Sequence, residues 1–201
     1  MPSVTVLLQP GAADWEFGVV LPALARFGLS TRAATPDGRG IETIGGLRIE
    51  ADTSFDTVDW EGADAIVLIG SQAWTKGGDR PIESRIAARA ESGRPLAAIC
   101  GATLALARAG VLDEREHTSN SLEFLQTHVS AYRGGQHYCD LARAVRDVNL
   151  VTASGAAPVS FACAVAATVV PERAAEIAAW WGMAAQEFEL LGADISPVFG
   201  A

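Results

Sequence analysis

Leu96-Ala97-Ala98-Ile99-Cys100-Gly101-Ala102-Thr103-Leu104-Ala105-Leu106-Ala107-Arg108-Ala109-Gly110 is the stretch that decides the fold. Its first four residues are an apolar run of strand length, preceded by Pro95. From Ala102 onward alanine and leucine, both strong helix formers, lead to Gly110, a residue suited to end a helix. Cys100 and Gly101 occupy the joint, so the cysteine sits on a sharp strand-to-helix turn, the geometry of a nucleophile elbow.

The same alternation continues outward. Apolar runs at Val4 to Leu8 and Ala65 to Ile69 read as strands, and the patterns at Glu16 to Phe27 and Ile82 to Ala90 read as helices. Strands alternating with helices predict a mostly parallel sheet covered on both faces. Leu47 to Glu50 and the stretch around Tyr132 to Asp140 read as shorter strands, and Val145 to Val151 as a hairpin turning at Asp147 to Asn149. Pro158 opens a helix with Phe161, Val165 and Val169 on one face, and a last helix runs from about Pro171 to Leu191, carrying Ile177, Trp180, Trp181, Met183, Phe188 and Leu191.

With 201 residues, 49% of them apolar, one core and one domain spanning 1–201 are expected. A net charge of −9 with Lys76 as the only lysine argues against a nucleic-acid surface, so a small-molecule substrate or a protein is the expected partner. The opening Met1-Pro2-Ser3-Val4-Thr5-Val6-Leu7-Leu8 has no basic lead-in and is too short to span a bilayer; no membrane association and a cytoplasmic location are expected. Cys100, Cys139 and Cys163 lack CxxC spacing, which points to reduced thiols. His137-Tyr138-Cys139 offers two ligands without an evident third, and the glycines of Gly38-Arg39-Gly40 and Gly77-Gly78 precede no phosphate-binding helix; neither metal nor cofactor is expected.

Backbone amides at a helix start favour the thiolate form of a cysteine, which makes Cys100 a candidate nucleophile. The alternative from the residues alone is a buried structural cysteine. Glu16 is either a partner for that sulfur or an acid in a first helical turn, where the dipole favours it. Trp15 and Trp74 are candidates to wall the site.

The chain resembles the ThiJ/PfpI family, relatives of the class I glutamine amidotransferase fold and of the human parkinsonism-associated protein deglycase. The landmarks are Gly11-Ala12-Ala13-Asp14-Trp15-Glu16, Val67-Leu68-Ile69-Gly70-Ser71, Ala98-Ile99-Cys100-Gly101 and Leu150-Val151-Thr152-Ala153-Ser154-Gly155. The resemblance implies a flavodoxin-like three-layer α/β sandwich and a homodimer. It also implies that Glu16 hydrogen-bonds Cys100 and that Gly70, Ser71 and Gly101 supply anion-binding amides, although Ile69-Gly70-Ser71 replaces the family's Pro-Gly-Gly. The family histidine aligns with Ser119 in Glu116-His117-Thr118-Ser119-Asn120, which leaves His117, two residues earlier, as the nearest candidate base. Protease-like members carry histidine at the Gly101 position, and no His-x-Glu follows the elbow, so peptidase and glutaminase activities are not expected. Two functions remain: Cys100-dependent chemistry on a small electrophile, of glyoxalase, deglycase or hydratase type, or a non-catalytic oxidative-stress sensor whose oxidised Cys100 is stabilised by Glu16.

Overall fold

The computed structural model describes residues 1–77 and 80–191, with the side chains of 80 and 185–191 outside that description. Strand β1 (Ser3–Leu7) leads to helix α1 (Asp14–Arg26), and β2 (Ser30–Thr35) follows. The short pair β3 (Ile41–Glu42) and β4 (Arg48–Ile49) forms a separate antiparallel hairpin, before β5 (Thr53–Ser54) and β6 (Ala65–Leu68). Helix α2 (Arg80–Glu91), β7 (Leu96–Ile99), α3 (Thr103–Arg108) and α4 (Leu122–His128) come next. The chain then forms β8 (Val145–Asp147), β9 (Leu150–Ala153), α5 (Pro158–Val169) and α6 (Ala174–Leu191).

The main sheet has seven strands in the order β5-β2-β1-β6-β7-β9-β8, parallel throughout except for β8 against β9. Strands β6, β7 and β9 are buried along their whole length, which is why they read as unbroken apolar runs. Successive side chains on a strand point to opposite faces, and the core divides accordingly. Val4, Val6, Val67, Ala97 and Ile99 pack with Phe17 and Val20 of α1 and Phe161 and Val165 of α5. Leu7, Ile66, Leu68, Leu96 and Ala98 pack with Ile82 and Ile86 of α2, Leu104 and Leu106 of α3 and Leu125 of α4. Both faces are therefore covered, giving the three-layer α/β architecture.

One expected strand is absent. Around Tyr132 to Asp140 the chain makes a single helical turn at Gly134–His137 and only an isolated bridge between His117 and Tyr138. Gly134 and Gly135 have low strand preference, and the pairing stops at that bridge. Conversely β2, β5 and α4 form without a strong local signal: Ser30–Thr35 lacks an apolar run and becomes a strand by pairing with β1. The β8–β9 hairpin forms as expected, with Val148 in the left-handed region at φ 53°. Phe188 and Leu191 of the last helix lie outside the described side chains.

Among the described residues no helix is long and apolar enough to cross a membrane. The loops that follow β1, β6, β7 and β9 emerge at the same edge of the parallel sheet, where α/β folds place ligand sites.

Candidate active site

Ile99 ends β7 in extended backbone, and Cys100 then adopts φ 58°, a conformation that costs a non-glycine residue about 1–3 kcal/mol. The turn is held from below. The Thr103 hydroxyl donates to the Cys100 carbonyl at 2.7 Å and therefore accepts, also at 2.7 Å, from the Ser119 hydroxyl. Room for the elbow comes from glycines: a Cβ on Gly70 would lie 2.7 Å from Cys100 Cβ and from both Glu16 oxygens. A Cβ on Gly155 would lie 2.8 Å from the Cys100 sulfur.

Glu16 reaches this point from the first turn of α1 and is fully buried. The Gly70 N–H donates to its Oε2 at 2.7 Å, while Oε1, also buried, has no donor apart from the Cys100 thiol beside it. Burial pushes the Glu16 carboxyl up to about 7, against the opposing pull of the Gly70 N–H. Burial first, and then the neighbouring Glu16 charge, push the Cys100 thiol up to about 11. The expectation that helix amides alone would favour the thiolate is thus corrected, because the elbow is buried against a carboxyl and α3 is a short helix. Both groups are protonated below about 7, and from there up to about 11 they hold one proton between them, so their titration belongs to the pair.

Two donors oppose that trend at the sulfur, the Gly101 backbone N–H and the Asn120 side chain, whose Nδ2 donates at 3.4 Å. Asn120 was not singled out by its sequence position. Its location depends on Thr118, whose N–H is tied to the Thr152 hydroxyl at 2.8 Å, and on Ser119 at Thr103.

Of the three amides that the resemblance implies for anion binding, that of Gly70 is already engaged. Gly70 N–H is spent on Glu16 and Gly70 C=O accepts from Ala13 N–H. The Ser71 hydroxyl donates to the Pro10 carbonyl at 2.6 Å and accepts from the Ala73 N–H. Ser71 and Gly101 face each other closely, a Gly101 Cβ position lying 2.7 Å from the Ser71 carbonyl oxygen, and both line the cavity at Cys100.

His117 is placed elsewhere. Its Nδ1 lies 2.7 Å from the Arg115 carbonyl and its Nε2 2.6 Å from the Tyr132 hydroxyl. A carbonyl only accepts, so Nδ1 carries the proton and Nε2 accepts from tyrosine. The ring is fully buried between Tyr132 and Tyr138, and burial pushes its pKa down. Both nitrogens are engaged, and neither is offered to Cys100.

A cavity of about 220 Å³ opens onto the sulfur, with Trp15, Ile44, Thr75 and Phe124 among its walls. Trp15 lines it as expected, whereas Trp74 is buried, stacked on Phe55 and bonded through its indole N–H to Ile69 C=O. Among the described residues no group of three or more His, Cys, Asp or Glu side chains is arranged to hold a metal ion.

Comparison with known proteins agrees with this architecture. The description "DJ-1/PfpI family" matches residues 2–168. An uncharacterized protease, YoaZ, of Bacillus subtilis is 37% identical over 158 residues, covering 75% of each chain. Protein dj-1beta of Drosophila melanogaster is 32% identical over 156 residues, 76% of this chain and 81% of that one. The crystal structure of a DJ-1 superfamily protein from Agrobacterium tumefaciens superposes with a TM-score of 0.80 at 36% identity, over 91% of this chain and 99% of the other.

Proposed function

Because the chain belongs to the DJ-1/PfpI family, we propose that it is a Cys100-dependent enzyme acting on a small carbonyl electrophile, with glyoxalase-like chemistry. The observation that carries this reading is the buried Glu16 carboxyl facing Cys100, with no imidazole at the sulfur. A proton shared between an acid and a thiol is what reversible addition to an aldehyde needs.

The step balances without a further reagent. The Cys100 S–H proton passes to the Glu16 carboxylate as the sulfur bonds to the aldehyde carbon. The carbonyl electron pair moves to oxygen, where the backbone N–H groups of Ser71 and Gly101, both residues lining the cavity, would meet the charge, and the proton returns to that oxygen to give a hemithioacetal. For a 2-oxoaldehyde, Glu16 then carries a proton from C1 to C2 by way of the enediol. The resulting 2-hydroxy thioester is hydrolysed to a 2-hydroxy acid, so the net change is addition of one water. YoaZ bears the name of a protease, but peptide hydrolysis calls for a free base near the sulfur, and His117 is engaged elsewhere.

Turnover of methylglyoxal to lactate tests the reading. Wild-type protein forms lactate and Cys100→Ser does not; equal rates in the two, or none in either, would overturn it.

The second reading, a peroxide sensor, is favoured by one observation: a protonated Glu16 would donate from Oε1 to an oxygen added to the adjacent sulfur. Mild peroxide would then add oxygen at Cys100 ahead of Cys139 and Cys163, as read by peptide mass; equal oxidation at all three would sink it.

A further inference from the structure

Asn120 is joined to the site by a chain of hydrogen bonds that begins at α1. The Trp15 indole N–H donates to the Gly155 carbonyl at 3.0 Å. The Gly155 N–H donates to Asn120 Oδ1 at 3.0 Å, and Asn120 Nδ2 donates to the Cys100 sulfur at 3.4 Å. The Gly155 donor fixes the orientation of the amide. An N–H requires an acceptor opposite it, so oxygen faces Gly155 and nitrogen faces sulfur.

The backbone on either side is held as well. Ser119 is fastened to the elbow through Thr103, and Ser121 caps α4 by accepting from the Phe124 N–H at 2.9 Å. Asn120 is therefore presented to the sulfur by a pinned segment, and it borders the same cavity as Cys100.

We propose that Asn120 is a catalytic residue of the Cys100 site, whose amide shifts the proton shared by Cys100 and Glu16 from sulfur onto the carboxyl, and that Trp15 is a positioning residue acting through Gly155. An amide has no proton affinity in this pH range and can only donate to the sulfur from Nδ2. It stabilises negative charge on sulfur without accepting the thiol proton, and that proton has Glu16 as its destination. Donation to an ionised acceptor is worth about twice a neutral hydrogen bond, so the effect is greatest for the thiolate.

Of the elements packed around the sulfur, α1 brings the titratable Glu16. Gly70 and Ser71 after β6, Gly155 after β9 and Asn120 before α4 do not ionise in this range. A pH profile of Cys100 reactivity therefore reports on the pair and on the donors aimed at it.

This inference rests on the Cys100–Glu16 pair, but its test needs no carbonyl substrate, so it can succeed where the proposed turnover fails. The probe is iodoacetamide, with alkylation of Cys100 followed by peptide mass from pH 7 to 10, the rising limb in which the rate follows the thiolate fraction. Asn120→Ala lowers the rate at pH 7 about tenfold and moves the rising limb of the profile about one pH unit upward, the scale of one hydrogen bond to an ionised group. Asn120→Asp keeps the size and the acceptor for Gly155 N–H but presents an anion to sulfur, and produces a larger loss in the same direction. Trp15→Phe removes the indole N–H and gives a smaller upward shift. Circular dichroism confirms the fold of each, and the near-isosteric Asp variant guards against collapse of the loop. An unchanged rising limb in both Asn120 variants, or a downward shift in either, would overturn the assignment.

Discussion

Replacing Glu16 by Gln asks the site how strongly it prefers a neutral acid. Glu16 is fully buried and pushed from 4.5 up to about 7, chiefly by burial. The folded state thus binds a proton that the unfolded chain has already released between pH 4.5 and 7. In that window the unfolded state holds fewer protons, so stability falls as pH rises: the Glu16 contribution is fully present below 4.5 and is lost as pH passes through 7. A shift of about 2.5 units at 1.36 kcal/mol each corresponds to about 3 kcal/mol. Gln is the shape of the neutral acid, accepting from Gly70 N–H and donating toward sulfur, and it carries no such pH term. Thermal unfolding of both proteins from pH 4 to 8.5 is the assay. The two melting temperatures nearly coincide at pH 4 and separate with pH until the Gln variant is more stable by about 3 kcal/mol, or about 10 °C for a chain of this size. Other carboxylates contribute to both curves and cancel in the difference. A difference that stays constant with pH, or a wild type that gains on the variant as pH rises, would refute the reasoning.

Gly70→Ala drives a methyl group into Cys100 and Glu16, with expected destabilisation of about 2 kcal/mol by urea unfolding and loss of Cys100 alkylation at pH 7. His117→Leu strands the Tyr132 hydroxyl and the Arg115 carbonyl, so stability falls by about 2–3 kcal/mol. At a temperature where it remains folded, its Cys100 alkylation profile matches wild type, which separates a structural histidine from a catalytic one. Val148→Asn places a residue tolerant of the left-handed region at an exposed turn, and a gain of about 1 kcal/mol in urea unfolding is expected.

The buried parallel strands were legible because β6, β7 and β9 are apolar on both faces, and the elbow was legible because a strand ran directly into a helix. Strand β2 was not, since STRAAT has no pattern of its own and depends on the edge presented by β1. Nor was helix α4, a short element capped by Ser121. Within the site the limits are those of long-range pairing. The resemblance implies an anion-binding amide at Gly70, but Glu16, 54 residues away, takes its N–H. His117 lay near the right place in sequence, yet Tyr132 and the Arg115 carbonyl claim its ring. Asn120 reaches the sulfur only because Thr118 and Ser119 are fastened to β9 and to the elbow, contacts without a local sequence signature.

The central claim is that Cys100, with Glu16 and without an imidazole, adds to a carbonyl carbon. Carbon-13 NMR of a labelled aldehyde mixed with the protein observes that bond directly. A protein-bound tetrahedral carbon is predicted in wild type and in a Cys139→Ser, Cys163→Ser double variant, and none in Cys100→Ser. A bound carbon that persists in Cys100→Ser, or none in wild type, would contradict the claim.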